Sequence, residues 1–251
     1  MLVFDRIGRR LAEFLTEARD IRGVSPPTSR EHLLAALRPG DVLLVEGNTR
    51  ISAAIKYLTQ STWSHAALFV GSFGGGADCF VEADLVAGVR RVGIDEFDGL
   101  HTRVCRPVGL DRAECAAVAR YAVERIGDRY DLKNVIDLAR YLLPAPPVPV
   151  RWRRRMLALG SGDPSRAICS TLIAQAFQAI NYPVLPEVKL RPAPTTGGGA
   201  ASIEEILSIR HHSLFAPRDF DVSPYFQIVK PTIERGFDFR ALKWTPERMA
   251  G

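Results

Sequence analysis

Short apolar runs and helical apolar stripes succeed one another along the chain in an order that predicts a mixed fold. DVLLVEG (41–47), WSHAALFVG (63–71), CFVEADL (79–85), GVRRVGIDEF (88–97) and HTRVCRPV (101–108) are each of strand length, and predict neighbouring strands. Between the first two, TRISAAIKYLTQ has helical spacing, with Asn48 or Thr49 placed to cap it. The glycine-rich GSFGGGAD predicts a hairpin-like turn between the second and third runs. From Asp111 the period changes: DRAECAAVARYAVERIG predicts a helix capped by Asp111 and stopped at Gly127. YDLKNVIDLARYLL, ICSTLIAQAFQAI and SIEEILSI predict three more helices, the second with Leu172, Ile173, Ala176, Phe177 and Ile180 on one side.

The ends and one internal stretch stand apart. Leu2, Phe4, Ile7, Leu11, Phe14 and Leu15 form an amphipathic helical stripe, interrupted by charges at Asp5, Arg6, Arg9, Arg10, Glu13 and Glu17, which predicts no cleaved secretory signal. Such a helix docks on its own domain or admits a peripheral membrane contact. The expected organisation is a helical extension over residues 1–37, one catalytic domain over 38–229 and a tail over 230–251. A proline- and arginine-rich insertion lies at about 142–162, where LPAPPVPV is followed by RWRRRM. It reads as a solvated loop or as a lid offering cationic and aromatic contacts to an anionic or lipid-like substrate.

Composition narrows the setting. With 251 residues, of which 47% are hydrophobic, the chain can bury one sizeable core, and no run reaches the ~20 apolar residues of a spanning helix. The formal charge of +5 is spread over local Arg clusters, so no nucleic-acid partner is expected. Cys79, Cys105, Cys115 and Cys169 form neither a CxxC pair nor a zinc-ligand spacing. No metal or other cofactor is expected, and the thiols should be free in a reducing, cytoplasmic compartment.

Reactivity is then a question for single residues. Cys169 opens a predicted helix and shares its inward face with Leu172, Ile173 and Ala176. The unpaired N–H groups of a helix start favour a thiolate there, and can hold an oxyanion. His65 lies in a strand that by period two puts it on one face with Trp63, Ala67 and Phe69. Glu82, on the next strand with Phe80 and Asp84, is placed to hold the imidazole. Taken singly, each has an ordinary structural reading: a packed thiol, a hydrogen-bonded core histidine, a solvated strand glutamate. His101, His211 and His212 are competing bases, and Glu114 beside Cys115 opposes a thiolate at that position.

Context decides among these readings. RPGDVLLVEGNTRISAAIKYLTQSTWSHAALFVG, VEADLVAGVRRV, GDRYDLKN, ICSTLIAQAF and FAPRDFDVSPYFQIV resemble, in order and in wording, the permuted papain-like NlpC-type amidases of the YiiX and YaeF kind, with lecithin:retinol acyltransferase as a more distant relative. The resemblance covers roughly residues 38–229 and rests on Gly40-Asp41, Ser64-His65, Glu82, Tyr130-Asp131 and Cys169-Ser170. It implies an α+β, circularly permuted papain-like fold, whose antiparallel sheet packs against the helix bearing the cysteine. It further implies Cys169 as nucleophile, His65 as base and Glu82 as the orienting group, with Tyr130, Ser64 and Ser170 lining the substrate site. The implied reaction is hydrolysis of a peptide, isopeptide or N-acyl amide through an acyl-enzyme. Two alternatives stay open: a lipid thioesterase, phospholipase or acyltransferase using the same three residues, and a non-catalytic binding module on the same fold. The substrate is accordingly expected to be a small-molecule, peptide or lipid-like acyl compound.

Overall fold

The computed structural model describes residues 29–72, 77–84, 87–128, 168–192, 203–208, 215–234 and 236–241. The N-terminal stripe, the Arg-rich insertion, Tyr130, Asp131, His211 and His212 lie outside them, as does the helix expected over YDLKNVIDLARYLL.

The five apolar runs all contribute strands: β1 (Val42–Glu46), β2 (His65–Ser72), β3 (Asp78–Asp84), β4 (Gly88–Val92) and β5 (His101–Pro107). With β8 (Phe226–Val229) they form an antiparallel six-stranded sheet in the order β4-β3-β2-β1-β5-β8. GVRRVGIDEF is only half strand, since Gly93 ends β4 and Ile94–Phe97 turn into a 3₁₀ segment that buries Ile94 and Phe97.

Both faces of this sheet are covered, which explains why its strands are apolar almost throughout. On one face Val42, Leu44, Ala66, Leu68, Val81 and Ala83 meet α3 (Arg112–Val123) and α4 (Ile168–Gln178). On the other, Leu43, Val45, Ala67, Phe69, Phe80 and Val92 meet the 3₁₀ turn and Leu33 of α1 (Arg30–Ala36). Phe69, Phe80 and Phe97 stack edge to face there at 5.1 and 5.2 Å. Trp63 departs from the expected alternation: it precedes the first residue of β2 and packs with the α3–α4 face, opposite Ala67 and Phe69.

Local chemistry fixes the helix starts. Thr49 caps α2 (Arg50–Thr59) by accepting from the Ser52 amide, and Asp111 with Glu114 closes a reciprocal capping box on α3. SIEEILSI is a correction. Residues Ile203–Ser208 form a strand, β7, paired over six positions with β6 (Glu187–Pro192). A helix of eight residues gains little from its own hydrogen bonds, and a partner strand offering a full ladder outweighs the i, i+3 spacing of its apolar residues.

The Gly40-Asp41 pair sets the register of β1 on β2. Gly40 adopts φ +93°, where a side chain is strained and a Cβ would meet Cys115 Sγ at 3.3 Å. Its amide donates to Phe69 O, while the Phe69 amide donates to Asp41 O. The Asp41 side chain, 1% exposed, takes both Arg106 Nε at 2.9 Å and Arg106 Nη2 at 2.7 Å, together with the Arg38 amide at 2.8 Å. Burial pushes this carboxyl above its ordinary value even against Arg106. Asp41→Ala strands a half-enclosed guanidinium and an amide, and should lower unfolding free energy by about 3 kcal/mol in urea titration. Asp41→Asn should cost less, because it keeps an acceptor and removes a charge that burial already opposes.

Candidate active site

Cys169, His65 and Glu82 come from three elements. Cys169 is the second residue of α4 and is buried, as the apolar face of Leu172, Ile173 and Ala176 requires. His65 opens β2, and Glu82 lies in β3.

By strand alternation His65 and Glu82 belong to the sheet face opposite α4. The β2–β3 ladder explains how they still meet the sulfur. It runs from Ser72↔Asp78 to Leu68↔Val81 and goes no further along β2. The Ala66 amide, beyond the end of that ladder, is near enough to Cys169 to favour its thiolate. Where the two strands part, Cys169 from one face, His65 and Glu82 share the gap.

The contacts form a line of alternating charge. His65 Nε2 lies 2.7 Å from Glu82 Oε2, which leaves Nδ1 as the ring nitrogen available to Cys169, whose charge interacts with the imidazole. Glu82 is only 3% exposed, whereas 27% of the His65 side chain reaches solvent. Burial alone would neutralise all three groups, and their neighbours outweigh it. Burial opposes the Cys169 thiolate, but charged His65, the Ala66 amide and Ser170 bring its pKa below the ordinary 9.0. Burial likewise disfavours the imidazolium, yet Cys169 and Glu82 raise His65 well above its usual 6.5. Glu82, disfavoured by burial too, ends below its ordinary value because His65 and Arg90 flank it. Both shifts favour charge separation between the sulfur and the imidazole.

Ser170 is fully buried, with Oγ 3.9 Å from Cys169 Sγ, and so touches the sulfur itself. Ser64 is buried as well; its Oγ accepts from the Gly47 amide at 2.9 Å and clamps the turn after β1. Its hydroxyl thus has a backbone partner within the protein. Tyr130 lies outside the described residues.

The other described thiols and His101 are differently occupied. Burial pushes Cys105 up, and burial with Asp41, Asp111 and Glu114 does the same to Cys115. His101 Nδ1 lies 3.1 Å from Glu46 Oε2, and its ring packs on Trp63 at 5.1 Å. Trp63 in turn donates to Asp221 at 2.9 Å. Among the described residues no group of three or more His, Cys, Asp or Glu side chains is placed to hold a metal ion, and no helix is long and apolar enough to cross a membrane.

Sequence reasoning missed two members of the site. One is the Ala66 amide, whose availability depends on where the ladder ends. The other is Arg90, which sits directly opposite Glu82 in the β3–β4 register and reaches Glu82 Oε1 with Nε at 2.9 Å and Nη2 at 2.7 Å. A hairpin closing on Asp84 and Gly88 places Glu82 across from Arg90, so VEADLVAGVRRV did carry the signal.

Residues 36–141 match the profile of a family described as permuted papain-like amidase enzyme, YaeF/YiiX, C92 family. The matched segment includes His65, Glu82 and Arg90 and ends before Cys169. The crystal structure of the metalloprotein YiiX from Escherichia coli O157:H7 is similar at a TM-score of 0.46 and 15% identity, over 78% of this chain and 97% of that one. No curated protein matches the chain.

Proposed function

We propose that this relative of the permuted papain-like amidases is a cysteine hydrolase that cleaves an amide bond through an acyl-enzyme on Cys169. The observation that carries the reading is the buried Cys169, second residue of α4, beside an imidazole that Glu82 holds at 2.7 Å. The chain order, with the histidine strand ahead of the cysteine helix, supports a circularly permuted papain-like reading of the fold.

In this mechanism the Cys169 thiolate attacks the carbonyl carbon, and a C–S bond forms while the carbonyl electrons move to oxygen. In the same reading the Cys169 amide, near the start of α4, donates to that oxyanion. Collapse breaks the C–N bond, with the His65 proton passing to the departing amine. Neutral His65 then takes a proton from water, whose oxygen attacks the thioester, and the acid leaves as the thiolate and imidazolium are restored. Glu82 stays ionised throughout, holding Nε2–H so that Nδ1 is the nitrogen that exchanges protons.

The test is an acid-quenched intact-mass measurement after mixing with N-acyl anilides and with the matching esters and thioesters. The proposal expects a mass gain on Cys169 equal to the acyl group, together with stoichiometric release of the aniline. Adducts from esters and thioesters but none from anilides would transfer the site to the lipid acyl chemistry. No adduct from any of them would favour the binding module.

A further inference from the structure

Glu82 carries a problem that the three-residue site does not solve. It is a carboxylate 3% exposed, and only one of its oxygens faces His65. A buried carboxylate with an unmatched oxygen gains by taking up a proton. Once protonated, its O–H would donate to Nε2 and fix the proton on Nδ1. That is the wrong tautomer for accepting a proton from Cys169.

Arg90 addresses this. Its Nε and Nη2 both contact Oε1, the oxygen that His65 leaves free. The guanidinium is itself held: Nη2 lies 2.6 Å from Glu96 Oε1, on the 3₁₀ turn that Ile94 and Phe97 anchor in the core. β4 is an edge strand of the sheet and 36% of the Arg90 side chain is exposed, so an arginine here can be changed without opening the core. Two cations, on opposite sides, thus bracket one buried carboxylate.

We propose that Arg90 is a positioning residue for the Cys169 reaction: by occupying Glu82 Oε1 it keeps Glu82 ionised and its other oxygen on His65, so that the imidazole presents Nδ1 to the sulfur. This rests on the reading of Cys169 and His65 given above. The arginine acts through Glu82 and touches neither the sulfur nor the substrate. Among the described residues, the charged groups in this line are Cys169 from α4, His65 from β2, Glu82 from β3, Arg90 from β4 and Glu96 from the 3₁₀ turn.

The experiment is the pH profile of Cys169 alkylation by iodoacetamide in wild type, Arg90→Gln, Arg90→Lys, Glu82→Gln and the Glu82→Gln/Arg90→Gln double variant, with thermal unfolding of each. Arg90→Gln should move the acid limb up by about one pH unit, a roughly tenfold slower reaction at any pH on the acid side of the limb. Arg90→Lys should restore most of that rate, since it returns the charge. In the Glu82→Gln background, Arg90→Gln should change the rate less than about twofold, because the carboxylate it works through is gone. An acid limb that stays in place or moves down in Arg90→Gln overturns the proposal, whatever happens to the melting temperature. So does an undiminished effect of Arg90→Gln in the Glu82→Gln background. A wild-type profile like that of an ordinary thiol would instead remove the Cys169–His65 reading itself.

Discussion

Under the proposed mechanism Cys169→Ala should abolish amide turnover, by about 10⁴-fold or more, while leaving the melting temperature within a few degrees of wild type. The size follows from the role: no other described thiol sits at a helix start facing an imidazole. The small effect on stability follows from the replacement, which removes one buried sulfur and with it a thiolate that burial opposes. Cys169→Ser is expected to be nearly as inactive, because a hydroxyl stays protonated beside His65 where a thiol ionises. Steady-state hydrolysis of an N-acyl anilide, with differential scanning fluorimetry in parallel, checks both parts.

His65→Ala is the second large effect, on the order of 10³-fold or more in turnover, and it changes the pH dependence as well as the rate. In the wild type the reactive form appears as pH rises through the lowered pKa of Cys169, and is lost as pH rises through the raised pKa of His65. The profile is therefore bell-shaped, with limbs that belong to the coupled pair rather than to either residue. Without His65 the thiol loses its counter-ion but keeps its burial, so its acid limb moves above the ordinary thiol range. The same shifts set a stability signature. The raised His65 contributes stability that is fully present below about 6.5 and lost as pH rises through its folded pKa, whereas the lowered Cys169 contributes stability that is present above about 9.0 and lost as pH falls through its folded pKa.

Much of this site was legible in the sequence because its parts depend on short-range rules. A helix of apolar spacing puts Cys169 near a helix start, and a period of two puts His65 and Glu82 on strands. The caps Thr49 and Asp111 are equally local. What was hidden depends on long-range register. SIEEILSI has a helical spacing of apolar residues, and only the presence of β6 turns it into a strand. Trp63 counts as a strand residue by alternation, yet β2 begins after it and the ring goes to the other face. The Ala66 amide faces the sulfur only because the β2–β3 ladder ends at Leu68↔Val81. Arg90 becomes the partner of a buried carboxylate only through the β3–β4 register.

The buried carboxylate also explains why a sequence can carry all three reactive residue types and still leave the chemistry open. Cysteine, histidine and glutamate are each common, and the distinguishing property is the order of charge between them. Here sulfur, imidazole, carboxylate and guanidinium follow one another across α4, β2, β3 and β4, and the shifts of the sulfur and imidazole favour alternating charge. Each member lowers the cost of ionising the next.

The most direct test of the central claim, a preformed thiolate–imidazolium pair, is the rate of Cys169 alkylation by iodoacetamide against pH in wild type and His65→Ala, with intact-mass and peptide analysis to place the label. The pair predicts rapid labelling of Cys169 well below pH 8 in the wild type, and a large loss of that rate when His65 is removed. Slow labelling with the pH midpoint of an ordinary thiol, indifferent to His65, would contradict it and leave a buried cysteine in a protein that binds rather than cleaves.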